Sequence, residues 1–434
     1  MKKFFFTFIL STCMISVLHA KTISFKHTVT AKTSLDDAIE SYLHSLPLHQ
    51  QLAQLFLVNI QGNETYAPVE YIKAKNSNDS VPVVPGGCLF FSYNIADSAQ
   101  QVIAFTSSIA SYCSEHNIIR PYIAIDQEGG SVNRLRKLTV PLPSNRTVAT
   151  LYSARQAFNL YEMQALQMSA LGFDMNLAPV TEPITSENDD FLDDRSYGNS
   201  IKTIVYSIAC INAYRQGNIH CIIKHFPGNT NVDPHSGLPE ISMSKDDVYK
   251  ELLIPFFLVS AAQPAGILMS HAKVKEFLEH TATDTMDCIP ACLSTFWCTD
   301  MLRDTFCYDG LILSDDIFMA ALQNNGYAPE KAAIMAVNAG VCILMLSEKK
   351  FASVLEVLAH ECQKNPSFAQ KVYEAEKKVI QYKIAAGILS VKQNSANNGK
   401  PFIATVSERE QKGSEQERLH QFEEVWKSYR EQFK

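Results

Sequence analysis

Eight short apolar runs recur along this chain with amphipathic stretches between them, and that rhythm restricts the fold more than any other feature. The runs are QLFLVNI (54–60), GCLFF (87–91), YIAID (122–126), FDMNLAPV (173–180), CIIKHF (221–226), GILMSH (266–271), GLILSD (310–315) and CILML (342–346). Residues 98–113, 154–171, 201–216, 245–262, 295–306, 329–339 and 351–362 carry apolar side chains at helical spacing. Strands that are apolar on both faces and alternate with helices belong to a parallel sheet covered on both sides. Eight such units predict an α/β fold with a single closed (β/α)8 barrel. The structural rival is an open, doubly wound sheet, but no glycine-rich dinucleotide turn follows any of the runs.

With 434 residues, 46% of them hydrophobic and 19% charged, the chain has ample material for one large core. A net charge of -7 argues against a nucleic-acid or anionic-membrane surface. Residues 1–20 have two lysines, an apolar middle and a small residue at Ala20, the layout of a secretory signal, so export to a periplasm is expected, with an uncleaved or lipid anchor as the alternative. The expected division is a signal peptide (1–20), a catalytic barrel (21–390), a polar linker (391–413) and an amphipathic helix (414–434). That helix should start with a capping box at Ser414 and Glu417 and carry a stripe of Leu419, Phe422, Trp426, Tyr429 and Phe433. Most of the eleven cysteines lie inside apolar segments and read as small buried hydrophobes, with Cys288, Cys292, Cys298 and Cys307 more closely grouped.

A barrel of this kind builds its site at the carboxyl ends of its strands. Asp126 ends the third run and opens a loop containing Arg134. Lys224 and His225 end the fifth, His271 the sixth and Asp315 the seventh, while Asp233 and His235 follow the fifth on a loop. Any one of them has a mundane reading, since a strand-end Asp often caps a helix and a lone His is often a satisfied core residue. Their convergence at one end of the strands favours a site.

The motifs GGCLFFSYNI (86–95), IDQEGGSVNRL (125–135), LPS (142–144), LGFDMNLAPV (171–180), DRSYG (194–198), KHFPG (224–228), Asp233-Pro234-His235, and LSDD (313–316) with Met319 occur in that order. Together they resemble glycoside hydrolase family 3, and within it the β-N-acetylglucosaminidases of peptidoglycan recycling. The resemblance implies a retaining exo-β-N-acetylglucosaminidase acting on a muropeptide or oligosaccharide containing N-acetylglucosamine. It needs no cofactor or metal, and no obligatory protein partner. Asp315 would be the nucleophile, and Asp233 with His235 the acid/base dyad. Asp126, Arg134, Arg195, Lys224 and His225 would hold the sugar. A single-barrel form is implied, without the second α/β domain of many members.

The chemistry suits these residue types on its own terms. A glycosidic bond breaks through an oxocarbenium-like transition state, which an anion beneath the anomeric carbon stabilises. The leaving oxygen needs a proton near neutral pH, where a histidine of pKa about 6.5 is better poised than an aspartate of about 3.9. Two features depart from the family pattern. The loop from KHFPG to the dyad is short, with Asn229-Thr230-Asn231 following directly, and Thr181-Glu182 stands where a small apolar residue and Asp are usual. Two alternatives are a catalytically weak sugar-binding homologue, and a metal-dependent barrel hydrolase using His225, Asp233, His235 and His271.

Overall fold

The computed structural model describes residues 29–73, 80–280, 286–394, 403–408 and 413–432. The expected signal segment lies outside the described residues. Each of the eight apolar runs supplies one barrel strand: β1 (Phe56–Asn59), β2 (Gly87–Phe90), β3 (Tyr122–Ile125), β4 (Met175–Asn176), β5 (His220–Phe226), β6 (Gly266–Met269), β7 (Leu311–Leu313) and β8 (Leu344–Leu346). They pair in parallel in the order β7-β6-β5-β4-β3-β2-β1-β8. The ring closes where Leu313 bridges Ile343 and the Ser314 amide donates to the Ile343 carbonyl at 2.9 Å. Every residue of β1, β2, β3, β6, β7 and β8 is buried, because the strands face side chains inside the barrel and helices outside it.

β4 is shorter than its apolar run. Pro179 has no amide to offer a ladder, and the side chain of Asn176 takes over instead. Its Oδ1 accepts from the Gln127 amide at 3.0 Å and its Nδ2 donates to the Gln127 carbonyl at 3.0 Å, as a peptide unit would.

The outer helices are Ala99–His116 after β2, Ala154–Leu171 after β3, Ser200–Gln216 after β4, a continuous run from Lys245 to Ser260 after β5, Phe296–Thr305 after β6, Pro329–Ala339 after β7 and Ala352–Lys364 after β8. The β1-to-β2 connection is different. Its described part is an antiparallel hairpin, Glu70–Lys73 with Ser80–Val83, and the Glu70 carboxylate caps the amides of Phe351 and Ala352 at the start of the last of these helices.

Three further elements surround the barrel. Val29–Ser45 and the twenty-residue helix Pro366–Ala385 pack together on it. The latter begins with Asn365 accepting from the Phe368 amide at 3.2 Å and Pro366 in its first turn. Leu389–Asn394 pairs antiparallel with Ile403–Glu408, so the stretch expected to be a polar linker contains a β-ladder. The alternation in IATVSE suits a strand, and the Asn/Ser-rich character belongs to the segment joining the two strands.

The helix Glu415–Gln432 has the expected capping box: the Glu417 amide donates to Ser414 Oγ at 3.3 Å and the Ser414 amide to Glu417 Oε2 at 2.7 Å. It lies against Ala99–His116 and Ala154–Leu171 through buried Phe422 and Val425, with Leu419, Trp426 and Tyr429 beside them; Phe433 lies outside the described residues. Arg418, absent from the predicted stripe, is also buried, donating to the Ala170 carbonyl at 2.9 Å, Ser107 Oγ at 3.0 Å and Thr106 Oγ1 at 2.9 Å.

Glu376 on Pro366–Ala385 is buried with Oε1 unpartnered among the described residues, and burial raises its pKa from 4.5 to about 8. Its proton is retained in the folded state and lost in the unfolded one between those values. Stability should therefore fall as pH rises from 4.5 to 8, and Glu376→Gln should flatten that slope, gaining on the order of 2–3 kcal/mol near pH 7. Urea unfolding of both proteins across this range is the check; parallel pH profiles would contradict it.

Candidate active site

The carboxyl ends of β3, β4, β5 and β7 bring the charged residues together. The loop after β3 turns sharply at Gly129 and Gly130, both at positive φ, against residues 142–144. A Cβ on Gly129 would stand 2.3 Å from the Pro143 carbonyl oxygen, and one on Gly130 2.6 Å from the Ser144 Cβ, so only glycine fits this approach.

The turn folds Glu128 back beside Asp126, with Lys224 at the end of β5 between them. Lys224 Nζ lies 2.6 Å from Asp126 Oδ1 and 2.6 Å from Glu128 Oε1. Arg195 grips Glu128 with both arms, Nε to Oε2 at 2.9 Å and Nη2 to Oε1 at 2.8 Å. Burial alone would raise the Glu128 pKa, but Lys224 and Arg195 outweigh it and hold the carboxyl well below its usual range. Three of the expected sugar-binding residues thus join one network, organised by a glutamate that had no assigned role.

Arg134 sits apart from that network. Its guanidinium carbon is 5.8 Å from the Phe91 ring centroid, and its Nε is buried without a partner among the described residues. His225, next to Lys224, turns to a different carboxylate: its Nδ1 is 2.6 Å from Glu182 Oε1. Glu182 is the residue that departs from the family pattern, and it is wholly buried.

Asp315 follows β7 and is almost buried, its Oδ1 accepting from the Asp316 amide at 2.8 Å. Asp316 in turn accepts from the Phe318 amide at 3.0 Å and from the Ser347 hydroxyl. His271, at the end of β6, supports this turn from below. The Asp316 carbonyl can only accept, so His271 Nε2, 3.0 Å away, carries the hydrogen, and Nδ1 accepts from the Cys292 thiol at 3.2 Å. Burial lowers the His271 pKa against the pull of Asp315 and Asp316, and raises that of the Cys292 thiol, which keeps both groups neutral for this arrangement.

Asp233 and His235 form their pair on the exposed loop after β5. Asp233 Oδ1 accepts from the His235 amide at 2.9 Å and lies 2.8 Å from its Nδ1. Burial nudges the Asp233 pKa up, but hydrogen bonds from the His235 amide and ring carry it below the usual value, so the carboxylate stays ionised beside the imidazole. The loop is tied to the one after β7, since the Ala321 amide donates to the Pro234 carbonyl at 3.1 Å.

The donors required for a metal site do not converge. His225 is on Glu182, His271 on Cys292 and Asp316, and Asp233 with His235 on the exposed loop; among the described residues no group of three or more His, Cys, Asp or Glu could hold a metal ion. Cys292 and Cys298 are buried, Cys288 half-buried and Cys307 exposed, and none of the four is in a disulfide among the described residues.

Comparison with known proteins accounts for this architecture. Residues 48–381 match the glycosyl hydrolase family 3 N terminal domain, which is most of the chain. The chain belongs to glycosyl hydrolase family 3. As a family 3 member it is a glycoside hydrolase. It is similar to a β-hexosaminidase A of Pseudoalteromonas piscicida, 27% identical over 60% of this chain but only 45% of that protein. It is also similar to a β-hexosaminidase of Methylococcus capsulatus, 29% identical over 63% of this chain and 79% of that protein. Among solved structures, a family 3 β-N-acetylglucosaminidase from a Paenibacillus species shares the fold with a TM-score of 0.70 at 22% identity, covering 88% of this chain and 68% of that one. A fungal multi-domain family 3 β-N-acetylglucosaminidase gives 0.68 at 26% identity, over 78% of this chain and 39% of that one.

Glu128 compensates buried Lys224 and partly buried Arg195, so Glu128→Ala should destabilise the protein by about 3 kcal/mol at neutral pH. The carboxylate's contribution is complete above its unfolded pKa of 4.5 and is lost as the pH falls below that value. The gap between wild type and variant in urea should therefore narrow on acidification; a constant gap would mean that the charge has no part in it.

Proposed function

We propose that this glycoside hydrolase removes terminal β-linked N-acetylglucosamine with retention of configuration, and that its natural substrates are peptidoglycan fragments. The observation that carries the reading is the placement of Asp315 at the end of β7 with the Asp233–His235 pair on the β5 loop tethered to the same turn region. The names of the relatives, β-hexosaminidases and β-N-acetylglucosaminidases, support the sugar.

In this reading Asp126, Arg134, Arg195, Lys224 and His225 bind the hydroxyls and N-acetyl group of the terminal sugar. Asp315 attacks the anomeric carbon as the bond to the aglycone oxygen breaks. The proton goes to that oxygen from His235. With Nδ1 engaged by ionised Asp233, Nε2 is the nitrogen that transfers it. The aglycone departs as an alcohol, leaving a glycosyl ester on Asp315. His235, now neutral, takes a proton from water as the water attacks the anomeric carbon, which releases the sugar and restores the carboxylate. The signal-like character of residues 1–20 supports secretion, to the compartment in which peptidoglycan fragments are released.

Asp315→Asn should cost at least about a thousandfold in turnover without unfolding the protein. His235→Ala should slow the disaccharide of N-acetylglucosamine and anhydro-muramic acid by about 10²–10⁴-fold, and a dinitrophenyl β-N-acetylglucosaminide, whose leaving group needs little proton help, by much less. Steady-state rates on both substrates, with the matching aryl β-glucoside as control, test this. Equal losses on the two substrates would remove His235 as the acid, and preference for the glucoside would remove the assigned sugar.

A further inference from the structure

We infer that Glu182 is a positioning residue that couples the sugar-binding end of β5 to the loop bearing the acid/base pair. Its carboxyl group is fully buried, and its three hydrogen bonds all fall on Oε1: the His225 amide at 3.1 Å, His225 Nδ1 at 2.6 Å and Asn229 Nδ2 at 3.3 Å. His225 belongs to β5, whereas Asn229 opens the loop that reaches Asp233 four positions later. One oxygen atom therefore fixes a residue that meets the sugar and the start of the segment that protonates the leaving group.

The contacts set both partners. Oε1 already accepts from the His225 amide and from Asn229 Nδ2, so it accepts from the ring as well: the His225 hydrogen sits on Nδ1, and Nε2 is the nitrogen left for the sugar. Asn229 is oriented by its amide, and its own Oδ1 is buried without a partner among the described residues, as is Glu182 Oε2. With Asn229 Oδ1 unpartnered, nothing in this cluster would hold Asn229 in place if the bond to Oε1 were lost. Farther along, the loop is held by other groups: the Asn231 amide donates to the Glu187 carbonyl at 2.6 Å, Asn231 Oδ1 accepts from the Asp190 and Phe191 amides at 2.9 and 3.1 Å, and Pro234 meets Ala321. Those contacts anchor the loop to the rim. The Glu182 contact joins it to a sugar-binding residue.

The inference rests on the glycosidase reading above, and it separates into two effects. Loss of the His225 contact weakens substrate binding for any aglycone. Loss of the Asn229 contact misplaces His235, which matters only where the leaving group needs a proton. Steady-state kinetics of the full chain, wild type, Glu182→Gln and Asn229→Ala, with the dinitrophenyl glycoside and the disaccharide, read these apart, with thermal unfolding to confirm that each variant is folded. Asn229→Ala should lower kcat on the disaccharide about tenfold, shift the aryl substrate less than about threefold, and leave both KM values near wild type. Glu182→Gln, which keeps the shape and replaces one carboxyl oxygen by an amide donor, should show the same kcat split and also raise KM on both substrates about tenfold. If Asn229→Ala slows both substrates equally, or Glu182→Gln leaves KM and the kcat ratio at their wild-type values, the coupling is wrong; Asn229→Ala decides the matter by itself should Glu182→Gln not fold. Wild-type protein that turns over neither substrate would overturn the glycosidase reading and this inference with it.

Discussion

Lys224, buried, and Arg195, partly buried, are cations brought to the end of the barrel, and the carboxylate of Glu128 between them makes that placement tolerable. A buried charge without a partner costs several kcal/mol, and Glu128 is the one carboxylate among the described residues that pairs with both side chains. The consequence reaches beyond the pair. Lys224 also contacts Asp126, so the ends of β3 and β5 and the loop after β4 are locked together around a single acidic group. The closely packed turn at Gly129 and Gly130 delivers that group, and the stiffness of the site follows from it.

Much of the fold was legible in the sequence because the strands are doubly buried and short. An unbroken run such as CIIKHF has few alternatives once helical stretches flank it, and all eight runs contain barrel strands. The carboxy-terminal helix was equally readable, through Ser414, Glu417 and the Phe422 stripe. Arg418 was not, because its burial depends on acceptors at Thr106, Ser107 and Ala170 that no local pattern reveals. The Pro366–Ala385 helix went unassigned although Asn365-Pro366 marks its start. The strand Ile403–Glu408 was hidden by the polar composition around it. Nothing in the apolar rhythm marks the β1–β2 connection, where a hairpin occupies the place of a helix.

The candidate site was legible where its residues coincide with strand ends. Asp126, Lys224, His225 and Asp315 stand where a barrel puts reactive groups, and Asp233 and His235 are close enough in sequence to pair locally. Glu128 and Glu182 were harder. Each has the partners of a strongly bound carboxylate, but those partners lie 43 to 96 residues away in sequence. Glu128 lies within the DQEGG motif, and Thr181-Glu182 departs from the family pattern, but neither feature of the sequence shows what the carboxylate holds. Carboxylates that hold other side chains are identified by their partners, which exist only once the chain has folded.

The helix Glu415–Gln432 carries a consequence for how the protein is made. Arg418 bonds to Ser107, 311 residues earlier in the chain, and Phe422 and Val425 cover the surface between two helices that flank early strands. During synthesis from the amino terminus, that surface emerges long before its cover. Thr106, Ser107 and the apolar side chains around them must remain in contact with water, or with a chaperone, until over three hundred further residues have been added. Docking of this helix is thus a late event, and a ribosome that stalls before it leaves a nearly complete barrel with an adhesive seam.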